Sequence, residues 1–288
     1  MFNTIEELVQ LSQEYPSVAE MMIAVEMETS GADRQMIIEH MTKNKNVMLQ
    51  SIAKGTAGVT SVTGLTGGDA KRMHEYIEKG ETLSQPTILK AVRNAIAVNE
   101  VNAQMGLICA NPTAGSAGVV AGVLAAITEE KNLTEAQQLD FLFTAGAFGL
   151  VIANNASISG AAGGCQAEIG SASAMASAAL VAIAGGTAEQ SAQAVAITIK
   201  NMLGLICDPV AGLVEVPCVK RNALGSSQAY ISADMALAGI KSVIPPDEVV
   251  EAMHQVGMQM PTIFKETAEG GLADTPTGRK ISQQLYKN

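Results

Sequence analysis

Apolar residues recur at helical spacing along most of the chain. The stretch that follows Asp33 is typical, with apolar side chains at Met36, Ile37, Met41, Val47, Met48 and Ile52. This spacing places them on one face of a helix, whereas a half-buried strand alternates strictly between apolar and polar residues. The clearest strand candidate is a short one at residues 59–62. The pattern therefore predicts a mostly or wholly α-helical fold.

Helix start signals support this interpretation. Four Ser or Thr residues stand three positions before Glu or Gln, the spacing of a capping box in which both side chains satisfy free backbone N–H groups. The pairs are Thr4 with Glu7, Ser17 with Glu20, Thr134 with Gln137, and Thr187 with Gln190. We expect a helix after each.

Three glycine-rich segments interrupt the helical pattern. They are TGLTGGD (63–69), CANPTAGSAG (109–118) and NNASISGAAGGCQAEIG (154–170), and each is dense in Ser, Thr or Asn. Glycine lets a backbone approach a ligand closely, and the N–H groups at a helix start favour anions. Any one segment could be an ordinary helix connection, but the three together favour a shared polar pocket.

The chain shows no internal repeat of solenoid period and no linker rich in proline or serine. We therefore predict one domain over residues 1–288. Within it, residues 1–80 are more charged and richer in methionine than the centre, which predicts a charged helical N-terminal layer on an apolar core. These methionines are interpreted first as core residues and second as a docking surface for a partner chain.

Composition and charge exclude several classes of function. The formal net charge is −10 and there is no run of Lys or Arg, which argues against nucleic-acid binding because that requires a basic face. Two long windows, 101–128 and 141–167, carry no charge, but both contain Asn and Gln and lack flanking Lys or Arg clusters, which favours a buried core over a membrane span. No secretory signal is visible at the N-terminus, so we expect a cytoplasmic protein with reduced thiols.

The four cysteines, Cys109, Cys165, Cys207 and Cys218, leave several chemistries open. Their spacing lacks the close pairs of a structural zinc site, and His40, His74 and His254 are scattered. Cys165 at a helix start could be a reactive thiol, although no histidine accompanies it. The cysteines could also converge on an iron–sulfur cluster, or be buried and inert.

Two of the cysteine segments resemble a known family. NNASISGAAGGCQAEIGSASAMA (154–176) and KNMLGLICDPVAGLVEVPCVKRNA (200–223) resemble the signature regions of the iron–sulfur-dependent L-serine dehydratases, also called L-serine ammonia-lyases. PTAGSAG (112–118) and TGLTGGDA (63–70) are also similar to segments of that family. The resemblance is to the α chain of the two-chain type, because the Ser-Ser-His-Thr motif of the single-chain enzymes is not found here.

The resemblance implies a cofactor, a reaction and a partner. In that family, cysteines at positions matching Cys165, Cys207 and Cys218 hold a [4Fe-4S] cluster and leave one iron open to substrate. The reaction is an oxygen-sensitive elimination of water from L-serine without pyridoxal phosphate, giving pyruvate and ammonia for amino-acid degradation and gluconeogenesis. A separate β chain is implied, hence a hetero-oligomer, and a histidine of that chain would contribute to the site.

Further residue assignments follow from the pocket and the resemblance. Candidates for holding the substrate carboxylate and amine are Thr63, Gly64, Thr66, Gly67, Asn155, Ser157 and Ser159. The general base is unknown; Lys200 could serve if it were desolvated, although a helix-surface lysine is the simpler interpretation. Asp208 and Glu215 are expected to cap backbone N–H groups or to pair with Lys220 or Arg221. Glu168 is interpreted as structural, and Cys109 as a buried or pocket-lining thiol.

Alternatives remain at this stage. A related cluster lyase could act on L-threonine or L-cysteine, since pocket size is not readable from sequence. The chain could also be a cluster-binding or zinc-binding subunit that performs no chemistry, or an apolar helical scaffold with inert thiols.

Overall fold

The computed structural model describes residues 2–287. Within this range the chain forms thirteen α-helices and no β-strand, which confirms the predicted α fold. The helices are α1 (Ile5–Ser12), α2 (Val18–Ser30), α3 (Arg34–Ala57), α4 (Asp69–Glu78), α5 (Pro86–Ala103), α6 (Ala117–Lys131), α7 (Glu135–Asn155), α8 (Gly160–Gly163), α9 (Cys165–Ile183), α10 (Ala188–Met202), α11 (Cys218–Leu237), α12 (Pro246–Gln259) and α13 (Pro276–Leu285). Short 3-10 segments lie at Val210–Gly212, Thr262–Phe264 and Gly271–Asp274.

The four helix starts expected from capping boxes are confirmed. Thr4, Ser17, Thr134 and Thr187 each accept a hydrogen bond from the backbone N–H three residues later. The reciprocal bond, from the cap residue's own N–H to the side chain of Gln137 or Gln190, completes the box at α7 and α10. These local bonds satisfy N–H groups that the helix itself leaves free.

Helix α9 forms the centre of the core. Every residue from 165 to 181 is buried, and the helix packs against α6, α7, α10 and α11. Most of its side chains are Ala, Ser or Gly, so neighbouring helices can approach closely, while Phe141 and Phe148 of α7 supply bulk. The start of α9 is thereby held firmly, and Cys165 stands at that position.

Helices α5 and α6 pack closely at Gly118 and Gly122 of α6. A Cβ atom on Gly118 would lie 2.3 Å from the backbone oxygen of Ala95 and 2.5 Å from Asn99 Oδ1. The Gly118 N–H also donates to Asn99 Oδ1 at 3.0 Å and to Asn222 Oδ1 at 3.2 Å. The glycine therefore joins three helices, α5, α6 and α11.

We expect Gly118→Ala to lower the free energy of unfolding by about 1–3 kcal/mol, because the added methyl group overpacks this contact. Gly146→Ala in α7 is the matched control, since a Cβ there meets nothing within 4 Å. That variant should be stabilised by about 0.5–1 kcal/mol through helix propensity. Denaturant unfolding of both variants checks the pair, and equal effects would contradict the packing explanation.

The strand expected at residues 59–62 is wrong. The structure has a single bridge between Thr60 and Gly67, which closes a tight loop rather than building a sheet. Gly67 has φ of 146°, and a Cβ there would lie 2.5 Å from the backbone oxygen of Val59, so only glycine fits. The β-branched residues of this stretch are therefore part of a loop.

The methionines of the N-terminal helices are divided between the core and the surface, the two positions expected from the sequence. Met21 and Met48 are buried, whereas Met27 and Met36 are 37% and 48% exposed. A cavity of 560 Å³ opens between α2, α3 and α7, and none of the cysteines lines it. The single domain over residues 1–288, with residues 1–80 as a more charged helical N-terminal layer, stays a prediction.

Two helices, α7 and α9, are long and apolar enough to cross a membrane by length and composition. Of their most apolar windows, 61% and 89% of the residues are buried inside the protein. Core helices of globular proteins have the same properties, and the packing of α9 on four neighbours is that of a core helix.

Candidate metal centre and active site

Two of the four cysteines, Cys165 and Cys207, meet at one buried place, and Cys218 is buried as well. Cys165 begins α9, Cys218 begins α11, and Cys207 lies in the loop after α10; their exposed fractions are 1%, 5% and 2%. The Sγ atoms of Cys165 and Cys207 and a carboxylate oxygen of Glu168 lie within 4.8 Å of one another. Cys218 is close enough for the charge of Cys165 to raise its pKa. Residues far apart in sequence thus form one donor set.

Backbone contacts fix the position of Cys207. Its N–H donates to the oxygen of Phe264 at 2.8 Å, and its carbonyl accepts from Glu266 N at the same distance. These bonds form a parallel bridge between Cys207 and Lys265. A segment about sixty residues away in sequence therefore holds this thiol, and no sequence pattern predicts this contact.

Arg221 of α11 ties the cysteine loops together. Its Nη1 donates to the backbone oxygen of Ile206 at 2.9 Å, lies 3.5 Å from Cys165 Sγ, and lies 2.7 Å from Asp208 Oδ1. Asp208 Oδ2 accepts from Leu272 N at 2.7 Å. The expectation that Asp208 pairs with Arg221 and receives a backbone N–H is confirmed.

The pKa values of the three thiols are shifted by burial and by neighbouring groups. A hydrogen bond from Cys207 lowers the pKa of Cys165, with further help from the Arg221 charge, and the same bond together with burial raises the pKa of Cys207. Burial also raises the pKa of Cys218. Three buried thiolates repel one another, so they ionise together only around a cation. The donor set therefore fits a metal centre.

The carboxylates of Glu168 and Glu266 also lie beside these thiols. Glu168 is 9% exposed, and its Oε1 accepts a short hydrogen bond from Thr113 Oγ1, at 2.5 Å. Burial raises the pKa of Glu168, and the nearby charge of Glu266 adds to that effect. The structure thus places Glu168 in the site, whereas the sequence suggested only a structural role.

The glycine-rich loop at residues 63–68 docks on the segment between two cysteines. Thr63 Oγ1 donates to Glu215 Oε1 at 2.8 Å, and Thr66 Oγ1 donates to Glu215 Oε2 at 3.0 Å. The expectation that Glu215 caps backbone N–H groups or pairs with a basic residue is wrong; hydroxyl groups hold it instead. The N-terminus of α4, where this loop ends, is held by a separate contact: Asp69 N donates to the buried carboxylate of Glu100 at 2.7 Å.

We expect Thr66→Val to lower the free energy of unfolding by about 1–3 kcal/mol, because the change leaves a buried carboxylate without one of its donors. Thr66 is 6% exposed and Glu215 is 5% exposed, so water cannot easily replace the hydroxyl. Thr60→Val, at an exposed position of the same loop, is the control. Similar losses in both variants, measured by denaturant unfolding, would show that the Glu215 bond contributes little.

Of the other residues predicted for substrate binding, Asn155, Ser157 and Ser159 lie near α8. Asn155 is exposed and donates to the backbone oxygens of Asn3 and Val151, Ser157 Oγ accepts from Ser159 N, and Ser159 is the residue before α8. Gly64 is exposed, and a Cβ there would meet nothing within 4 Å. Their role in substrate binding stays a prediction.

Lys200 and Cys109 are not part of the donor group. Lys200 is exposed in the last turn of α10, so this chain does not bury it as a role as general base would require. Cys109 is half-buried against the core, burial raises its pKa, and it is absent from the group formed by Cys165, Glu168 and Cys207. Its interpretation as a pocket-lining thiol stays a prediction.

Comparison with known proteins decides the family. The family described as "Serine dehydratase alpha chain" matches residues 13–273. The chain belongs to the serine dehydratase alpha chain family. It is 60% identical over 287 residues to the "Probable L-serine dehydratase, alpha chain" of Bacillus subtilis (strain 168), covering 99% of this chain and 96% of that one.

Other relatives extend the similarity. The "L-serine dehydratase, alpha chain" of Peptoniphilus asaccharolyticus is 43% identical over 289 residues, which covers 100% of this chain and 99% of that one. The "L-serine dehydratase 1" of Escherichia coli (strain K12) is 42% identical over 181 residues, 62% of this chain and 40% of that protein. The family resemblance inferred from the cysteine motifs is confirmed.

Sequence reasoning missed the residues that the C-terminal segment supplies to this site. Glu266 and Leu272 reach the cysteine loops through backbone contacts, and Glu266 has a left-handed backbone with φ of 66°. Neither residue lies in a recognisable motif, and no periodicity predicts which loop they meet. Only the folded chain brings them to the site.

Proposed function

We propose that this chain is the catalytic α subunit of an L-serine dehydratase, a lyase that eliminates water from L-serine to give pyruvate and ammonia. The observation that carries the proposal is the meeting of Cys165 and Cys207 with Glu168 at one buried place, with Cys218 also buried, in a chain from this family. The sequence is similar to L-serine dehydratase α chains over nearly its full length. The subunit acts with a separate β chain, in keeping with the names of these relatives.

The cofactor proposed is a [4Fe-4S] cluster held by Cys165, Cys207 and Cys218. Three thiolate ligands leave one iron for substrate, and iron supplies Lewis acidity that makes a hydroxide a better leaving group. The pocket suits such a group because its three thiols are buried and Arg221 lies 3.5 Å from Cys165 Sγ. Arg221 therefore balances part of the negative charge of the ligand set.

The chain itself contributes positioning and exclusion of water. Arg221 fixes the two loops that carry Cys165 and Cys207, and Thr63 and Thr66 fix the loop that leads to Cys218 through Glu215. The substrate is proposed to lie against Gly64, Gly67, Asn155, Ser157 and Ser159. Lys200 is exposed and is therefore not assigned as the base. The resemblance to the family implies that a histidine of the β chain contributes to the site, where a base must lie within hydrogen-bond reach of the α-proton.

Elimination then proceeds by loss of the α-proton and of the β-hydroxyl as water. The resulting aminoacrylate tautomerises to an imine and is hydrolysed to pyruvate and ammonia, so the atoms balance with one water released and one consumed. We place this activity in the cytoplasm, where thiols stay reduced, and in a single domain that spans residues 1–288.

The experiment is an assay of pyruvate formation from L-serine under anaerobic conditions, with the chain reconstituted with iron and sulfide and combined with its β chain. L-Threonine and L-cysteine serve as alternative substrates, since either would also lose its β-substituent. We expect L-serine to give the highest kcat/KM. A preparation that retains iron but converts none of the three amino acids would make the chain a non-catalytic metal-binding subunit.

A further inference from the structure

Helix α5 ends in a turn that has a methionine where two other helices of this chain have glycine. The N–H groups of Met105 and Gly106 donate back to the last turn of α5, at 2.9 and 2.8 Å. Helices α9 and α11 end with the same pair of bonds, and there Gly185 and Gly239 stand at the position of Met105. All three residues have a left-handed backbone, with φ of 62°, 87° and 86°, which is costly for any residue that carries a Cβ. Met105 therefore strains the end of α5.

No contact among residues 2–287 compensates for this strain, because the Met105 side chain is 85% exposed. Two neighbouring apolar side chains, Val62 and Leu107, are 74% and 73% exposed. Val62 N donates to the oxygen of Ala103 at 3.3 Å, so the loop that carries Val62 lies against this turn. The three side chains form one exposed apolar surface, here called the α5 patch (Val62, Met105 and Leu107). Exposed apolar groups that cluster in this way mark interaction sites.

The charge beside the α5 patch is opposite to that of the whole chain. Residues 43–72 carry five Lys or Arg and one Asp, whereas the full chain has 18 Lys or Arg and 28 Asp or Glu. Lys54 borders the patch, since its Nζ lies 3.2 Å from the position of a Cβ on Gly106, and it lines a hollow of 140 Å³ together with Leu107. Lys54 is exposed and forms no ion pair with any residue from 2 to 287. The patch therefore fits a protein surface with an apolar centre and an acidic edge.

We propose that the α5 patch is the surface on which the separate β chain docks. This inference rests on the proposed function, since that function includes a β chain. Val62 directly precedes Thr63, whose hydroxyl donates to Glu215 in the segment between Cys207 and Cys218. A chain docked on the patch thus lies beside the loop that contacts the cysteine segment, a position that suits a partner contributing to the site.

A second copy of this chain is the competing occupant. Two copies related by a two-fold axis would bring the same patch of each copy together, and Lys54 of both copies with it. Like charges across an interface oppose association, so a different partner with acidic groups fits the surface better.

The test measures the affinity of the anaerobically reconstituted chain for its β chain by calorimetry, and the denaturant unfolding of each free variant. Met105→Gly removes the exposed side chain and relieves the backbone. Leu107→Ser removes a second apolar group, and Lys54→Glu reverses the charge at the edge. Val243→Ser is the control, because Val243 is 94% exposed in the loop between α11 and α12.

We expect Met105→Gly to raise the denaturant midpoint of the free chain and yet to weaken β-chain binding about tenfold or more, the scale of an interface anchor. A merely structural role of Met105 would not give these opposite changes. Leu107→Ser and Lys54→Glu should weaken binding to a similar extent, while Val243→Ser binds as wild type does. With the β chain in large excess over the new dissociation constants, all the variants should regain wild-type kcat/KM.

Three results would overturn the assignment. The first is wild-type affinity in both Met105→Gly and Leu107→Ser, or an equal loss in Val243→Ser. The second is a midpoint of Met105→Gly below that of wild type, since the strain argument would then be wrong. The third is a wild-type chain that dimerises without the β chain and becomes monomeric in Leu107→Ser, measured by light scattering, since the patch would then join two copies.

The two proposals fail in different ways. If wild-type chain with bound iron and its β chain forms no pyruvate from L-serine, the proposed function is wrong whatever the affinities show. If pyruvate forms but the patch variants bind the β chain normally, the function stands and the β chain docks elsewhere.

Discussion

Replacing Arg221 with methionine is expected to lower the free energy of unfolding of the iron-free chain by about 3–5 kcal/mol, because the change leaves a buried charge uncompensated. The partner, Asp208, is 2% exposed, and the two side chains approach to 2.7 Å. Methionine retains an apolar stem, so most of the loss would come from the missing charge and hydrogen bonds. Denaturant unfolding under reducing conditions measures it.

The neighbouring Lys220 supplies a matched control. Its side chain is 66% exposed and pairs with Asp69 at the surface, so Lys220→Met should cost no more than about 1 kcal/mol. Adding Asp208→Asn to Arg221→Met should recover part of the stability, since the stranded charge is removed. Equal losses for the two single variants, or no recovery in the double variant, would contradict a buried ion pair at the cysteine loops.

The second large effect concerns catalysis. Each of Cys165→Ser, Cys207→Ser and Cys218→Ser is expected to lower kcat/KM for L-serine about a thousandfold or more, because loss of Lewis-acid stabilisation removes several kcal/mol from the transition state. The thiols are buried, and serine is nearly isosteric, so packing changes little. Pyruvate formation by the anaerobic enzyme with its β chain measures this effect.

Cys109→Ser is the control for these three variants. Cys109 is half-buried and belongs to no donor group with the other cysteines, so its replacement should leave kcat/KM within about threefold of wild type, the range of a small packing change. Comparable losses at Cys109 and Cys207 would show that activity depends on thiols in general rather than on Cys165, Cys207 and Cys218.

The helical fold followed from local signals, and these are reliable because they act within a few residues. Periodic apolar residues and the caps at Thr134 and Thr187 produced the expected helices. The short strand at 59–62 failed because a β-branched stretch was taken alone, while Gly67 turns the chain back after one bridge.

The site was predictable only where a long motif existed. The cysteines could be grouped by resemblance to a family, and their shared burial agrees with that grouping. The partners of Glu215 and the position of Glu266 depend on contacts between segments about fifty to one hundred and fifty residues apart, which periodicity cannot specify. The hydroxyl groups of Thr63 and Thr66, which were expected to hold the substrate, donate hydrogen bonds to Glu215.

The most direct measurement is the iron and acid-labile sulfide content of the chain reconstituted without oxygen, alone and with its β chain. A three-thiolate cluster predicts about four irons and four sulfides per wild-type chain and per Cys109→Ser chain, with loss in Cys165→Ser, Cys207→Ser and Cys218→Ser. Wild-type chain that stays free of iron in both preparations, or the three variants retaining wild-type iron, would contradict the assignment of these cysteines as cluster ligands.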